Sequence, residues 1–432
     1  MTTFFERGTE TMPREQLAQL QLQKLQSMLV EVYGKNRFYT HKFRQAGFRP
    51  GDLKSLADLG QLPTTTKTEL IEDQQTDGFA GNLTYPLSAY TRYHQTSGTT
   101  GQPLRVFDTA DSWDWWGRCW GYVLAGAGLT AADRIFCAFS FGPFIGFWAA
   151  VEGARHIGAL LIPGGGRSSL DRLRLMAETG STALCCTPTY ALHLLEIARE
   201  NLIDPTELEV RTTVHAGEPG ANIPATKARI QQGWAAKCYD HAGASEVGAH
   251  SFECEAQPNG VHVIESEFIV EVVDPDSGQP VVSGQKGELV ITNLGRWGFP
   301  VIRYRTGDAI VLNDTACDCG RTFLRLEGGV IGRVDDMVTV RGVNIFPSAI
   351  EDLVRQQQEV DEFRVTVDKR GLLDELNIEV ELIEGCDDTR VCTALNHLMT
   401  GKLGLRLAVV AVARNTLPRF ELKARRFRVL TN

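Results

Sequence analysis

Ala183-Leu184-Cys185-Cys186, a helical stretch over residues 190–200, and Val210-Arg211-Thr212-Thr213-Val214 make one β-α-β passage, and its reading decides the fold. Both short runs are rich in apolar or β-branched residues, as strands covered on both faces must be, and the segment between them has the spacing of a covering helix. The rhythm extends upstream. Arg134-Ile135-Phe136-Cys137-Ala138 reads as a strand, residues 149–157 as a helix, Ala159-Leu160-Leu161-Ile162-Pro163 as a strand ending in Gly164-Gly165-Gly166, and residues 170–180 as a helix. The expected fold class is α/β, with a large N-terminal domain of mostly parallel sheets. Downstream, residues 260–311 break into short β runs with turns at Pro275-Asp276-Ser277-Gly278 and Gly284-Gln285-Lys286-Gly287, a β-rich subdomain. A smaller α+β unit follows, with helices over 348–358 and 388–403 and strands near 362–367, 377–382 and 408–413. The expected domains are 1–334 and 335–432. Amphipathic helices are expected over 14–33 and, rich in tryptophan, over 112–125, and Thr66 is a candidate N-cap of another.

Composition narrows the function. A chain of 432 residues with 43% hydrophobic and 22% charged residues is an ordinary globular composition. The formal net charge of -9 argues against a nucleic-acid partner. Ten cysteines over this length do not make a disulfide framework, so reduced thiols and a cytoplasmic location are expected. The first 31 residues have no apolar core and carry Glu6, Glu10, Glu15 and Glu31, and the apolar run 135–151 is broken by Gly142, Pro143 and Gly146. No membrane segment is expected.

The chemistry-bearing stretch is Thr96-Ser97-Gly98-Thr99-Thr100-Gly101-Gln102-Pro103. Its residues are too small for a core, but glycine lets backbone N–H groups turn inward and the hydroxyls add donors, so the run suits a phosphate cradle. It is not the G-x-x-x-x-G-K-[ST] loop.

Several stretches in one order then resemble the acyl-adenylate-forming superfamily of acyl-CoA synthetases, and most of all its phenylacetate-CoA ligase branch. They are Leu62-Pro63-Thr64-Thr65-Thr66-Lys67, the loop at 96–101, His215-Ala216-Gly217-Glu218-Pro219, Ala242-Gly243-Ala244-Ser245-Glu246, Arg303-Tyr304-Arg305-Thr306-Gly307-Asp308, Gly332-Arg333-Val334-Asp335-Asp336-Met337, Arg341-Gly342-Val343-Asn344-Ile345-Phe346-Pro347 and Pro418-Arg419-Phe420-Glu421-Leu422-Lys423. The resemblance implies ATP-dependent conversion of an aromatic carboxylic acid to an acyl-adenylate, with release of pyrophosphate, then transfer to coenzyme A. An adenylating ligase that passes the acyl group to an amine, hydroxyl or carrier thiol, or a non-catalytic adenylate-binding protein, are the rival readings.

On that resemblance Thr96, Ser97, Gly98, Thr99, Thr100 and Gly101 hold the leaving phosphates. Gly217, Glu218, Pro219 and Ser245 line the nucleotide. Glu246 holds Mg2+, a hard cation that takes oxygen ligands. Asp308 accepts from the ribose hydroxyls, and Arg333 offers its planar guanidinium to ribose or phosphate oxygens. Lys423 stabilises charge developing at the α-phosphate. Asp335 is the hinge of a mobile C-terminal lid. Phe141, Phe144, Phe147, Trp148, Ala216, Ala242 and Gly243 build the acyl pocket. Cys317-Asp318-Cys319 puts two thiols in one turn; Cys254 and His262 would complete a structural Zn2+ site, as in part of that branch, with His250 as the rival fourth ligand. The resemblance leaves room for a homodimer. The chain departs from the pattern in three places. Ala242 stands where an aromatic residue stacks on adenine, so Tyr239 or His241 would have to substitute. Gln102 replaces a basic residue, and Leu422 replaces glycine before Lys423.

Overall fold

The structure is a computed structural model that describes residues 2–430 apart from 77–78, 97–101, 341–342, 371–374, 406 and 421–423. Its main sheet has twelve strands among the described residues. Five are parallel, in the order Leu160–Pro163, Arg134–Cys137, Ala183–Cys186, Thr212–His215 and Lys237–Ala244. The rest are antiparallel and run on through Gly248–Glu253, Gly260–Val263, Arg325–Glu327, Tyr304–Asn313, Lys286–Asn293 and Phe268–Val273, with Gly332–Arg333 beside Tyr304–Asn313. The parallel strands and the expected β-rich stretch are thus continuous in one sheet. One strand makes the join: Lys237–Ala244 bonds Thr212–His215 along one edge and Gly248–Glu253 along the other.

Caps set the helix ends that periodicity places only loosely. Ala110–Gly126 begins two residues earlier than expected because Ser112 N donates to Thr109 Oγ1 at 3.1 Å. Thr187 and Ser168 cap Pro188–Glu200 and Ser169–Thr179 in the same way. Thr66 and Glu69 form a reciprocal pair at the start of Lys67–Thr76, at 2.7 and 3.3 Å. Helices Ala110–Gly126 and Trp148–Ile157 cross so closely that a Cβ on Gly153 would lie 2.4 Å from Trp120 Cβ. That crossing brings the tryptophans against the sheet.

The C-terminal residues build a second, four-stranded sheet in the order Ala408–Val412, Glu375–Leu382, Val360–Asp368, Phe427–Leu430, with helices Pro347–Arg355 and Asp388–Leu403 and an apolar core of their own. The last strand is absent from the sequence expectation, because it is a four-residue edge strand within a basic run. No described helix is long and apolar enough to cross a membrane.

Candidate active site

The parallel strands all end on one side, and in such sheets ligands lie beyond the carboxyl ends. Among the described residues, Gly217, Ser245 and Glu246 follow closely on the ends of strands Thr212–His215 and Lys237–Ala244. Strands Tyr90–Gln95 and Arg105–Thr109 form a hairpin that carries the candidate phosphate loop. Thr96 closes its neck, since Thr96 N donates to Leu104 O at 2.9 Å and Leu104 N to Thr96 Oγ1 at 3.0 Å. Ser97, Gly98, Thr99, Thr100 and Gly101 lie outside the described residues.

Glu246 is held from several sides. Its side chain is 8% exposed, Tyr304 donates to its Oε1 at 2.8 Å, and Lys67 Nζ lies 3.9 Å away. Lys67 gets there because Thr65 bonds both ways with the Tyr304 strand, Thr65 N to Arg303 O and Arg305 N to Thr65 O, each at 2.8 Å. Behind Glu246, Arg296 donates to Ser245 O at 2.8 Å and Glu246 O at 3.0 Å while forming a two-bond ion pair with Asp108 at 2.7 and 2.8 Å. Both charged side chains are fully buried. Asp108 belongs to the hairpin, so this pair ties the Ser245-Glu246 turn to strand Arg105–Thr109. Sequence reading misses it, because Asp108 and Arg296 are 188 residues apart and neither sits in a recognisable motif.

Asp308 and Arg333 are register partners on adjacent strands, and Arg333 Nη1 lies 3.9 Å from Asp308 Oδ1. Arg333 also donates to Thr306 O at 2.7 Å and to both oxygens of Asp335, at 2.9 and 3.1 Å. Gly307 has φ +75, and a Cβ there would meet the Arg333 guanidinium at 2.7 Å, so only glycine fits this turn. Asp335, whose side chain is 58% exposed, stands at the passage to the second sheet.

On the acyl side the aromatic residues form a chain. Ring centroids are 4.9 Å apart for Phe141 and Trp148, 5.5 Å for Phe139 and Phe141, 5.7 Å for Phe139 and Phe147, and 5.7 Å for Phe147 and Trp120. Trp148 is the outer end, 36% exposed, and Phe144 is half-buried nearby in the sequence. Ala216, Gly217, Ala242, Gly243 and Ser245 all reach the surface at the strand ends. His241 does not take the place of the missing aromatic residue over adenine: its ring is buried against Trp120, centroids 4.6 Å apart. Tyr239 is buried too, earlier on the same strand. Burial holds the His215 imidazole near a pKa of about 4 and pushes its register partner Asp240 up to about 7, with the Glu253 carboxylate adding to the latter.

Glu218 lies just beyond the end of strand Thr212–His215. Its carboxylate accepts from Thr189 N at 3.0 Å, in the first turn of Pro188–Glu200, and from Ala424 N at 2.6 Å. Burial raises its pKa, opposed by the Arg426 charge. Arg426 donates to Thr189 Oγ1 at 3.1 Å and pairs with Glu362 at 2.7 Å. Lys423 lies outside the described residues, but Ala424, next to it, is bonded to the main-sheet body through Glu218.

Cys254, His262, Cys317 and Cys319 come together in a buried group whose ligand atoms all lie within 4.8 Å of one another. His250, the rival fourth ligand, is not in the group. Strand pairing of His262 with Arg325 brings it beside the turn of Cys317 and Cys319. His262 Nδ1 lies 3.0 Å from Phe323 O, so it is the protonated nitrogen, and Nε2 faces Cys319 Sγ at 3.4 Å with its lone pair. That orientation and three thiols fit a tetrahedral Zn2+ donor set.

The family model of AMP-binding enzymes matches residues 90–295, and that of the AMP-binding enzyme C-terminal domain matches residues 342–429. Fold and site together are those of an AMP-forming acid–coenzyme A ligase. The chain belongs to the phenylacetate-coenzyme A ligase family: it is 34% identical to the Escherichia coli enzyme of that name over 98% of this chain and 97% of that one, and 34% identical to the Thermus thermophilus enzyme over 87% and 83%. Among solved structures it is similar to 2-hydroxyisobutyryl-CoA ligase in the postadenylation state with 2-HIB-AMP, with a TM-score of 0.93 and 31% identity over 98% of this chain and 91% of that one. Against the same ligase in the thioesterification state, with 2-HIB-AMP and CoA, the TM-score is 0.75 at 32% identity, covering 98% of this chain and 91% of that one. The two sheets of the present chain are thus arranged nearer to the former state.

Proposed function

We propose that this ligase acts on a small aromatic carboxylic acid, which attacks the α-phosphorus of ATP to give an aryl-adenylate and pyrophosphate, after which the coenzyme A thiol displaces AMP. The observation that carries this reading is the junction of two surfaces at the strand ends: the Glu246–Tyr304–Arg296 node on one side and the aromatic chain from Trp148 to Trp120 on the other. A carboxylate is already ionised near pH 7, so the first step needs no general base. It needs the two anions brought together and the developing charge met by fixed groups. Glu246 is the residue that would hold Mg2+, which would neutralise phosphate oxygens. Asp308 and Arg333 would hold the ribose, the loop at 96–101 the departing phosphates, and Lys423 the α-phosphate. Domain 335–432 would turn about Asp335 between the two steps. The cysteine–histidine group would hold a structural Zn2+, since four protein donors leave no open position. Mass spectrometry of products formed from ATP, an aromatic acid and coenzyme A tests the acceptor; an acyl-adenylate that accumulates unchanged with coenzyme A, and is consumed by an amine instead, contradicts it.

In this account Glu218 positions Lys423 rather than touching the nucleotide, because its carboxylate fixes Ala424 N. Glu218→Ala is expected to slow acid-dependent ATP–pyrophosphate exchange about tenfold or more, the worth of one charge-assisted hydrogen bond, with the KM for ATP little changed. A variant that exchanges at the wild-type rate, or that loses ATP affinity instead of turnover, removes this role.

A further inference from the structure

Two histidines behind the aromatic chain are not used by the reaction described above. His241 lies on Lys237–Ala244 and His250 on the antiparallel neighbour Gly248–Glu253, where the register shifts between Ala242 and Gly243. His241 packs on Trp120, the inner end of the chain of rings that begins at Trp148. Its Cε1 is 3.4 Å from where a Cβ on Gly243 would stand, so it sits directly under the accessible Ala242-Gly243 segment. His250 is 2% exposed and its Nδ1 has no hydrogen-bond partner. Trp116 Nε1, one helical turn from Trp120, is likewise buried without a partner. Buried polar atoms in native proteins are nearly always paired, so the unpaired His250 Nδ1, on the strand beside His241, calls for a reason.

We propose that His241 and His250 form the polar inner end of the acyl site and select an aromatic acid that carries a ring hydroxyl or amino group, an inference that rests on the aryl-ligase reading above. The donor and acceptor inventory supports that choice. His241 Nδ1 lies 2.6 Å from Ser251 O and must donate to it, which leaves Nε2 as an acceptor. A ring O–H or N–H can donate to that acceptor. A hydroxyl oxygen or an amine lone pair can in turn accept from His250. Both imidazoles are held neutral, His241 near a pKa of about 4 by burial and His250 near about 3 by burial and by its neighbour His241. A neutral pair reads a neutral substituent; a second carboxylate on the ring would find no cation here. An unsubstituted ring would leave the nitrogens unpaired, and sites built around a substrate hydroxyl reject the analogue that lacks it.

The test is ATP–pyrophosphate exchange by the full chain with benzoate, phenylacetate and their 2-, 3- and 4-hydroxy and amino derivatives. The wild type is expected to prefer one substituted acid over its parent by about 10- to 100-fold in kcat/KM. In His250→Leu that ratio falls to about one, and in His250→Asn, which keeps a hydrogen-bonding group, part of it survives. Because the ratio is taken within each preparation, a loss of folded protein cancels. Exchange with unsubstituted acids at a ratio within twofold in the wild type, or a ratio unchanged in His250→Leu, overturns the proposal and leaves the aryl-ligase reading standing. If no aromatic acid supports exchange, both fall together.

Discussion

Glu246→Gln is expected to lower acid-dependent ATP–pyrophosphate exchange by about 100- to 1,000-fold, the scale for removing a fixed electrostatic group from a water-poor site. The substitution is chosen because it isolates charge. Glutamine keeps the volume of a side chain that is only 8% exposed and can still accept the Tyr304 hydroxyl bond of 2.8 Å, so the surrounding packing stays. The backbone on either side of the side chain remains held by Arg296, at Ser245 O and Glu246 O. What disappears is the anion that would hold Mg2+, together with its attraction to Lys67 at 3.9 Å. A thermal melt close to the wild type should accompany the loss. Exchange within threefold of the wild type would remove Glu246 from the reaction.

The second large effect concerns stability. Cys319→Ser is expected to reduce bound zinc from about one ion per chain to a small fraction, and to lower the melting temperature by several degrees, since each kcal/mol is worth roughly 2–4 °C or less in a chain of this size. The donors are ready for it: His262 Nε2 faces Cys319 Sγ at 3.4 Å, and Cys254 Sγ lies 3.6 Å from Cys317 Sγ. Strand pairing supplies the cross-link's value, because the ion would join the Gly260–Val263 strand to the turn after Tyr304–Asn313. Cys386→Ser, in the loop between strand Glu375–Leu382 and helix Asp388–Leu403 and outside the group, serves as the control and should change neither quantity. Metal analysis of wild-type protein that finds well under one zinc per chain, together with an unchanged melt for Cys319→Ser, would sink this assignment.

The parts legible in the sequence are those with short-range signals. The β-α-β rhythm from 134 to 214 needs only local apolar runs, and four of the parallel strands follow from it. Cys317-Asp318-Cys319 announces a thiol pair by spacing alone, though only the pairing of His262 with Arg325 shows that His262 rather than His250 lies beside it. The parts that are not legible depend on long-range pairing. Nothing near Lys237–Ala244 says that one strand will join a parallel half-sheet to an antiparallel one. The Arg296–Asp108 pair, which fixes Glu246, has no local signature. That the Glu218 carboxylate accepts from both Thr189 and Ala424, the latter 206 residues away, has no local signature either. Trp113, Trp116 and Trp120 do carry a signal, the spacing of one helix face. That face meets His94, Arg296 and His241 in turn, with ring contacts at 5.2, 5.4 and 4.6 Å, which makes it a floor running from strand Tyr90–Gln95 to strand Lys237–Ala244.

The most direct measurement of the central claim is ATP–pyrophosphate exchange by the wild-type chain, with aromatic and aliphatic carboxylic acids of matched size, and no coenzyme A present. Exchange that depends on an aromatic acid, with net AMP and an aryl-CoA thioester appearing only once coenzyme A is added, is the predicted result. Exchange supported equally by aliphatic acids, or by no acid at all, would contradict it.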